Sequence, residues 1–200
     1  EIYTLSLHDA LPIFDCETSF TIPSGVVTIG SYAFSHSNLE SIIIPPTVTT
    51  IENNAFEYCK NIAKIDIPNS VTKIAMMAFD NCSKLSMVKL SENVSKIEMM
   101  TFSYCTSLQS FTIGKNVSEI DGTAFLGCAS LKSFEVDEAN SILSSVEGVL
   151  YTKDGKKLLK CPIAFYSTSY VVPDGVEVIV EYAFQKCKNI ESFTLPESLT

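Results

Sequence analysis

Ile67-Pro68-Asn69-Ser70-Val71-Thr72-Lys73-Ile74, followed by Ala75-Met76-Met77-Ala78-Phe79-Asp80-Asn81-Cys82-Ser83-Lys84-Leu85, is the stretch whose pattern recurs through the chain. Phe79 sets the frame, because Phe34, Phe56, Phe79, Phe102 and Phe125 follow one another at intervals of 22 or 23 residues. Phe184 resumes the series after 59 residues, one 23-residue period plus a 36-residue insertion. Five residues before each Phe stands an Ile, at 29, 51, 74, 97, 120 and 179, and three before that a Val, at 26, 48, 71, 94, 117 and 176. An alternating apolar pair ends each unit: Ile42/Ile44, Ile65/Ile67, Val88/Leu90, Phe111/Ile113, Phe134/Val136 and Phe193/Leu195. Self-similarity at a fixed short period marks a repeat architecture, in which each unit covers its apolar face only by stacking on a neighbour.

Period-two alternation in L-x-x-I-x-I predicts a short strand with one buried face. Pro45, Pro68 and Pro196, or Ser91 and Gly114 at the same place, should end that strand. The segment I-x-x-x-A-F-x-x-C turns Ala, Phe and Cys inward if it forms one helical turn, although it is too short to be a stable helix alone. Between Asp137 and Tyr170 the frame lapses. There the Asp154-Gly155 pair between Val149-Leu150-Tyr151 and Leu158-Leu159 reads as a β-hairpin. Tyr170-x-Val172-Pro173 then returns to the strand position.

The pattern I-P-x-S-V-T-x-I-x-x-x-A-F-x-x-C-x-x-L, in register over about residues 20–200, resembles the leucine-rich repeat of the BspA-like family. A hairpin similar to Gly148-Val149-Leu150-Tyr151-x-Lys153-Asp154-Gly155-Lys156 recurs in that family. The fold expected is an α/β, right-handed leucine-rich-repeat solenoid, a horseshoe with a parallel concave sheet. It should hold about six and a half repeats and one hairpin insertion at about 137–169. The resemblance also implies a secreted or surface-exposed bacterial protein that adheres to proteins or glycoproteins.

Two domain statements follow. Residues 1–13, EIYTLSLHDALPI, resemble the in-frame translation of a short-read sequencing adapter; opening on Glu1 and interrupted by His8 and Asp9, they are expected to be that rather than a secretory leader. Residues 14–200 are expected to be the repeat domain, a fragment whose last repeat stops without a polar cap. The 200 residues are 46% hydrophobic and 18% charged, a folded composition, and no 18-residue run is apolar enough to enter a bilayer. All 14 basic residues are Lys, against 23 acids, for a net charge of −9. That balance disfavours a nucleic-acid backbone as partner.

Seven cysteines invite a disulfide or metal reading. Cys59, Cys82, Cys105, Cys128 and Cys187 each fall three residues after a repeat Phe, while Cys16 and Cys161 lie outside that series. Equivalent side chains should point the same way, and no C-x-x-C or neighbouring His supplies metal-ligand spacing, so a ladder of small buried thiols is expected. These cysteines and Phe34, Phe56, Phe79, Phe102, Phe125 and Phe184 form the expected core.

No catalytic, cofactor or metal residue stands out. His36 occupies a slot filled elsewhere by Tyr58, Asn81, Tyr104, Gly127 or Lys186, and Glu119, Asp121, Asp137 and Glu138 read as a solvated acidic surface. No nucleophile elbow, phosphate loop or metal motif is present. The chain is therefore expected to be a binding module and not an enzyme, with no cofactor. The candidate ligand face is the outward side of the strands, in two columns: Ser41, Lys64, Met87, Ser110, Ser133, Ser192, and Ile43, Asp66, Lys89, Thr112, Glu135, Thr194. The hairpin at Asp154-Gly155 is a second candidate, as loops often carry recognition. Alternatives are an intracellular interaction scaffold and an accessory binding module of a larger enzyme.

Overall fold

Where each repeat ends in alternating apolar residues, the computed structural model, which describes residues 3–5 and 18–200, forms a strand. These strands are Ser19–Thr21, Ser41–Ile43, Lys64–Asp66, Met87–Lys89, Ser110–Ile113, Ser133–Val136, Ser169–Val171 and Ser192–Thr194. Together they make the front ladder. Pairing is parallel and in repeat register, Lys64 opposite Met87 and Ser110 opposite Ser133, for instance. A second, back ladder is built from the Val-x-x-Ile segments: Val26–Ile29, Thr50–Ile51 and Lys73–Ile74 pair in sequence, as do Lys96–Ile97 and Glu119–Ile120. Between the ladders each coil turns at its Pro-x-x-Val corner, where Val71 N donates to Pro68 O at 2.9 Å. The same turn forms at Ser91 and Gly114, so the corner does not depend on proline. The molecule is a β-solenoid of stacked parallel coils.

The α part of the expected α/β label is corrected: no helix occurs among the described residues, and the A-F-x-x-C segment is a run of tight turns. The cause lies in where its amides go. In the first full coil Ala33, Ser35 and Ser37 donate to carbonyls three residues back, whereas Tyr32, Phe34 and His36 donate to Asn53, Ala55 and Glu57 of the next coil. Alternate amides thus leave the coil, and the i to i−4 ladder of a helix cannot form. The residues two before and two after the Phe bend the chain outward with positive φ: Tyr32 and His36, Asn54 and Tyr58, Met77 and Asn81, Met100 and Tyr104, Tyr182 and Lys186. Forward bonds from successive coils keep the backbone satisfied with no helical element.

Inside, the aromatic rings rest on one another. Phe34, Phe56, Phe79, Phe102 and Phe125 stack with centroids 5.2, 5.0, 5.4 and 5.8 Å apart and planes within 13°. All five are buried; Phe184 and Cys187, in the last coil, are only partly covered. Each ladder thiol has an acceptor in the preceding coil: Cys59, Cys82, Cys105 and Cys128 donate to the carbonyls of Phe34, Phe56, Phe79 and Phe102 at 3.0–3.4 Å. Burial pushes the Cys59 thiol up to about 11 and the Cys128 thiol up to about 12. Cys16 lies outside the described residues.

The expected hairpin is present, Val149–Thr152 pairing antiparallel with Lys157–Lys160. It is one half of a meander, because Leu143–Val146 also pairs antiparallel with Val149–Thr152 through a two-residue turn at Glu147 and Gly148, both with positive φ. Lys157–Lys160 then joins the back ladder beside Val178–Ile179. Asn140, buried, anchors the meander: its Nδ2 donates to Gly114 O and Val117 O, and its Oδ1 accepts from the amides of Ile142 and Leu143. Tyr3–Leu5, inside the segment set apart in sequence, pairs in parallel with Val26–Ile29. An extended triplet does so at any open ladder edge, which says nothing of its origin.

Three outcomes are expected. Phe102→Ala, which removes a ring packed against Phe79, Phe111 and Phe125, should destabilise the chain by roughly 3–5 kcal/mol in denaturant melts; a loss under ~1 kcal/mol would contradict the stack. Cys59, Cys82, Cys105 and Cys128 should resist a thiol-specific reagent at pH 8 until denaturant is added. Because the folded Cys59 thiol titrates near 11 against an ordinary 9.0, its stabilising share is full below pH 9 and is lost as pH rises through 11; rapid native labelling would refute this burial. Gly148→Ala, with φ at 80° and its new methyl 2.8 Å from Ser133 Cβ, should lower stability by about 1–3 kcal/mol, and a neutral result would place the turn elsewhere.

Candidate functional site

Alternation along each front-ladder strand sends one residue into the core and its two neighbours outward, as in the exposed-buried-exposed order of Ser41, Ile42 and Ile43. All twelve residues of the two candidate columns lie on this face. Eleven are exposed; Ser133 is half-buried, because Gly148 of the meander turn closes over it and Phe134 N donates to Gly148 O at 2.9 Å. Ile43 and Met87 expose 62% and 56% of their surface. Lys89 reaches back to Asp66 at 3.2 Å, an exposed ion pair that adds little stability and leaves both side chains available.

The structure adds members that the column pattern missed. Ser19 and Thr21 precede Ser41 and Ile43, and Ser169 and Val171 pair in register with Ser192 and Thr194. Tyr170-x-Val172 signalled that last strand, but the irregular stretch before it hid its outward residues. Phe193, read as a core residue, is 46% exposed in the last coil.

The Glu147-Gly148 turn interrupts the front ladder between Ser133–Val136 and Ser169–Val171, and an open cleft of about 430 Å³ lies there. Val146, Glu147, Tyr166, Ser167, Ser169 and Val171 rim it, with Tyr166 76% exposed. Val-Glu-Gly-Val between apolar alternations was the available signal, overlooked because the stronger Asp154-Gly155 pair lies close by. At that second turn Asp154 accepts from Thr152 Oγ1 at 2.6 Å and Lys156 N at 3.0 Å, bonds that hold its carboxyl below the usual range.

His36 and the four acids weighed for catalysis are engaged in a ring stack, tight turns or an ion pair, or lie exposed. His36 stacks on Tyr58 at 4.6 Å. Asp121 and Asp137 accept from the amides of Thr123 and Ala139, each at 2.8 Å, closing tight turns. Glu119 pairs with Lys96 at 3.5 Å, and Glu138 is exposed on the surface. Among the described residues no group of three or more His, Cys, Asp or Glu is placed to hold a metal ion.

Comparison with known proteins agrees with this geometry. A pneumococcal vaccine antigen, PcpA, superposes with a TM-score of 0.83 at 28% identity, over 91% of this chain and 46% of that one. A leucine-rich repeat protein from Eubacterium ventriosum gives 0.72 at 20% identity, over 90% of this chain and 56% of that one. A leucine rich cell surface protein from Faecalibacterium prausnitzii gives 0.53 at 25%, over 92% and 64%. The chain thus spans about half the length of the first two. No curated protein matches it in sequence. The family model described as a BspA type leucine rich repeat region matches in six copies over residues 15–144 and 163–200, leaving out residues 145–162, which hold most of the meander. With its repeats, ladders and ring stack accounted for, the chain belongs to the BspA-type leucine-rich repeat family.

Proposed function

We propose that the chain is a non-enzymatic protein-binding or adhesion module of a secreted or cell-surface bacterial protein, and that the front ladder, the concave sheet of the expected horseshoe, is its ligand face. The observation that carries this reading is the outward pair of columns. The column of Thr21, Ile43, Asp66, Lys89, Thr112, Glu135, Val171 and Thr194 changes in charge and polarity from coil to coil, the other column is Ser except at Lys64 and Met87, and the inward positions stay apolar, so chemical variety in this chain lies where a partner would touch it. Parallel strands about 4.8 Å apart present an extended, rigid array of side chains to a partner surface. Ile43, Met87 and Val171 are apolar anchors and Lys64, Asp66, Lys89 and Glu135 supply charge, a mixture suited to a protein or glycoprotein.

Similarity to the pneumococcal antigen and to the Faecalibacterium cell surface protein supports a place outside the cell. The net charge of −9 argues against nucleic acid as the ligand. Among the described residues no helix is long and apolar enough to cross a membrane.

The test is capture by immobilised extracellular-matrix glycoproteins. Lys64→Glu combined with Lys89→Glu reverses the positive charge on neighbouring coils at exposed positions, so folding, checked by circular dichroism, should be unchanged. Capture should fall by about tenfold or more, in line with loss of complementary charge at an interface. Undiminished capture by the folded double variant would rule out the front ladder as the site.

A further inference from the structure

Two thiols that the ligand face does not use meet in the last two coils, and Lys160, next to one of them in sequence, reaches the coil of the other through Tyr182 O. Cys161 occupies the place that other coils give to phenylalanine: its amide donates to Ala183 O at 2.8 Å, as that of Phe34 does to Ala55 O. Cys187 occupies the ladder slot of the following coil, three residues after Phe184. Its sulfur lies 3.7 Å from Cys161 O and 3.5 Å from Pro162 O, while the Cys161 sulfur lies 3.7 Å from that same Pro162 O. Two thiols from different slots therefore converge on one carbonyl. The four ladder thiols each bond to the phenylalanine carbonyl of the preceding coil, as Cys187 does to Cys161 O, but only at Cys161 does a second thiol stand in the phenylalanine slot itself.

The third group is Lys160, only 5% exposed, whose ammonium donates to Gly122 O and Tyr182 O at 2.8 Å each. Among the described residues it forms no ion pair with a carboxylate; the ionisable groups acting on it are Cys187, Cys128, Cys161 and Asp121. A buried cation is costly without a compensating anion. Of its thiol neighbours, Cys187 is the one that is partly open to solvent.

We propose that Cys187 and Cys161 form a thiol–disulfide exchange site for small-molecule disulfides, with Lys160 holding Cys187 as the attacking thiolate and Cys161 as the resolving thiol. Cys187 sulfur attacks one sulfur of the incoming disulfide, whose S–S bond breaks and whose other half leaves as a thiolate and takes up a proton. Cys161 then releases its proton, attacks the Cys187 sulfur and expels the second half. Two protein thiols are oxidised to one disulfide, and one small disulfide is reduced to two thiols. The titration of the pair agrees: the neighbouring Cys161 thiol and the positive charge of Lys160 draw Cys187 below its ordinary value, while the Cys187 thiol and burial push Cys161 up. The product would tie the meander to the last coil, constraining the chain between them.

The experiment treats the full chain, natively folded, with oxidised glutathione, then blocks free thiols and maps peptides by mass spectrometry. A Cys161–Cys187 linked peptide that has lost two hydrogens is expected, with Cys59, Cys82, Cys105 and Cys128 alkylated only after denaturation. Cys161→Ser should stall the reaction with one glutathione on Cys187. Lys160→Met should slow alkylation of native Cys187 at pH 7 by about tenfold, the effect of one unit in thiol pKa. Free thiols at both positions after treatment, a link to any other cysteine, or a Cys187 rate indifferent to Lys160 would overturn the proposal.

Discussion

Alternate amides in the Phe-bearing turns donate forward to the next coil, and everything else in the molecule is arranged around that exchange. A turn whose donors are satisfied within itself would be a helix or an isolated loop, indifferent to its neighbours. Here each coil has unsatisfied backbone until another sits against it, and the phenylalanine ring, apolar on both faces, has the same requirement. Hydrogen bonding and apolar burial therefore favour the same spacing and register, the agreement between levels that gives a sequence one structure. The thiols extend this logic: each lends its proton to a carbonyl of the coil before it, so even the core's weakest donors are shared between repeats.

Because the inward positions carry the stability, the outward ones are free to differ. Ile43, Asp66, Lys89, Thr112, Glu135 and Thr194 occupy one column yet span aliphatic, anionic, cationic and hydroxyl side chains, while the residues before them in each strand stay aliphatic or aromatic. A ligand face can change on such a scaffold without disturbing the stack, since single exposed substitutions cost little. The meander departs from this division. It places a turn against the front ladder and a strand in the back ladder, and so joins the two sides at one point in the solenoid.

Much of this was legible in the residues. The 23-residue period, the strand in L-x-x-I-x-I, the Pro-x-x-Val corner and the hairpin at Asp154-Gly155 all follow from spacing and turn chemistry, and the Phe and Cys slots followed from repetition. The helical turn did not survive. Ala-Phe-x-x-Cys has helical spacing, but the destination of its amides is a tertiary matter, and nothing local announces that Tyr58, Met77 or Tyr104 will adopt positive φ. The second meander turn was masked by its neighbour. Cys161 lies one 23-residue period before Phe184, so spacing places it in the phenylalanine slot, but with no Phe there and the frame broken by the meander the slot became visible only through the bond from its amide to Ala183 O. The outward columns could be listed from alternation alone, except where the meander had displaced the frame.

The aromatic column is not continuous. It runs from Phe20 to Phe134, and a separate series begins at Phe165 and passes through Tyr170 and Phe184 to Phe193; among the described residues no ring pair joins the two. The buried side chains divide at the same place into two apolar clusters. In an array held by nearest-neighbour coupling, the interface with the fewest shared rings yields first. Pulled from its two ends, such an array would part at the meander, letting out slack while the Phe34 to Phe125 segment stayed folded.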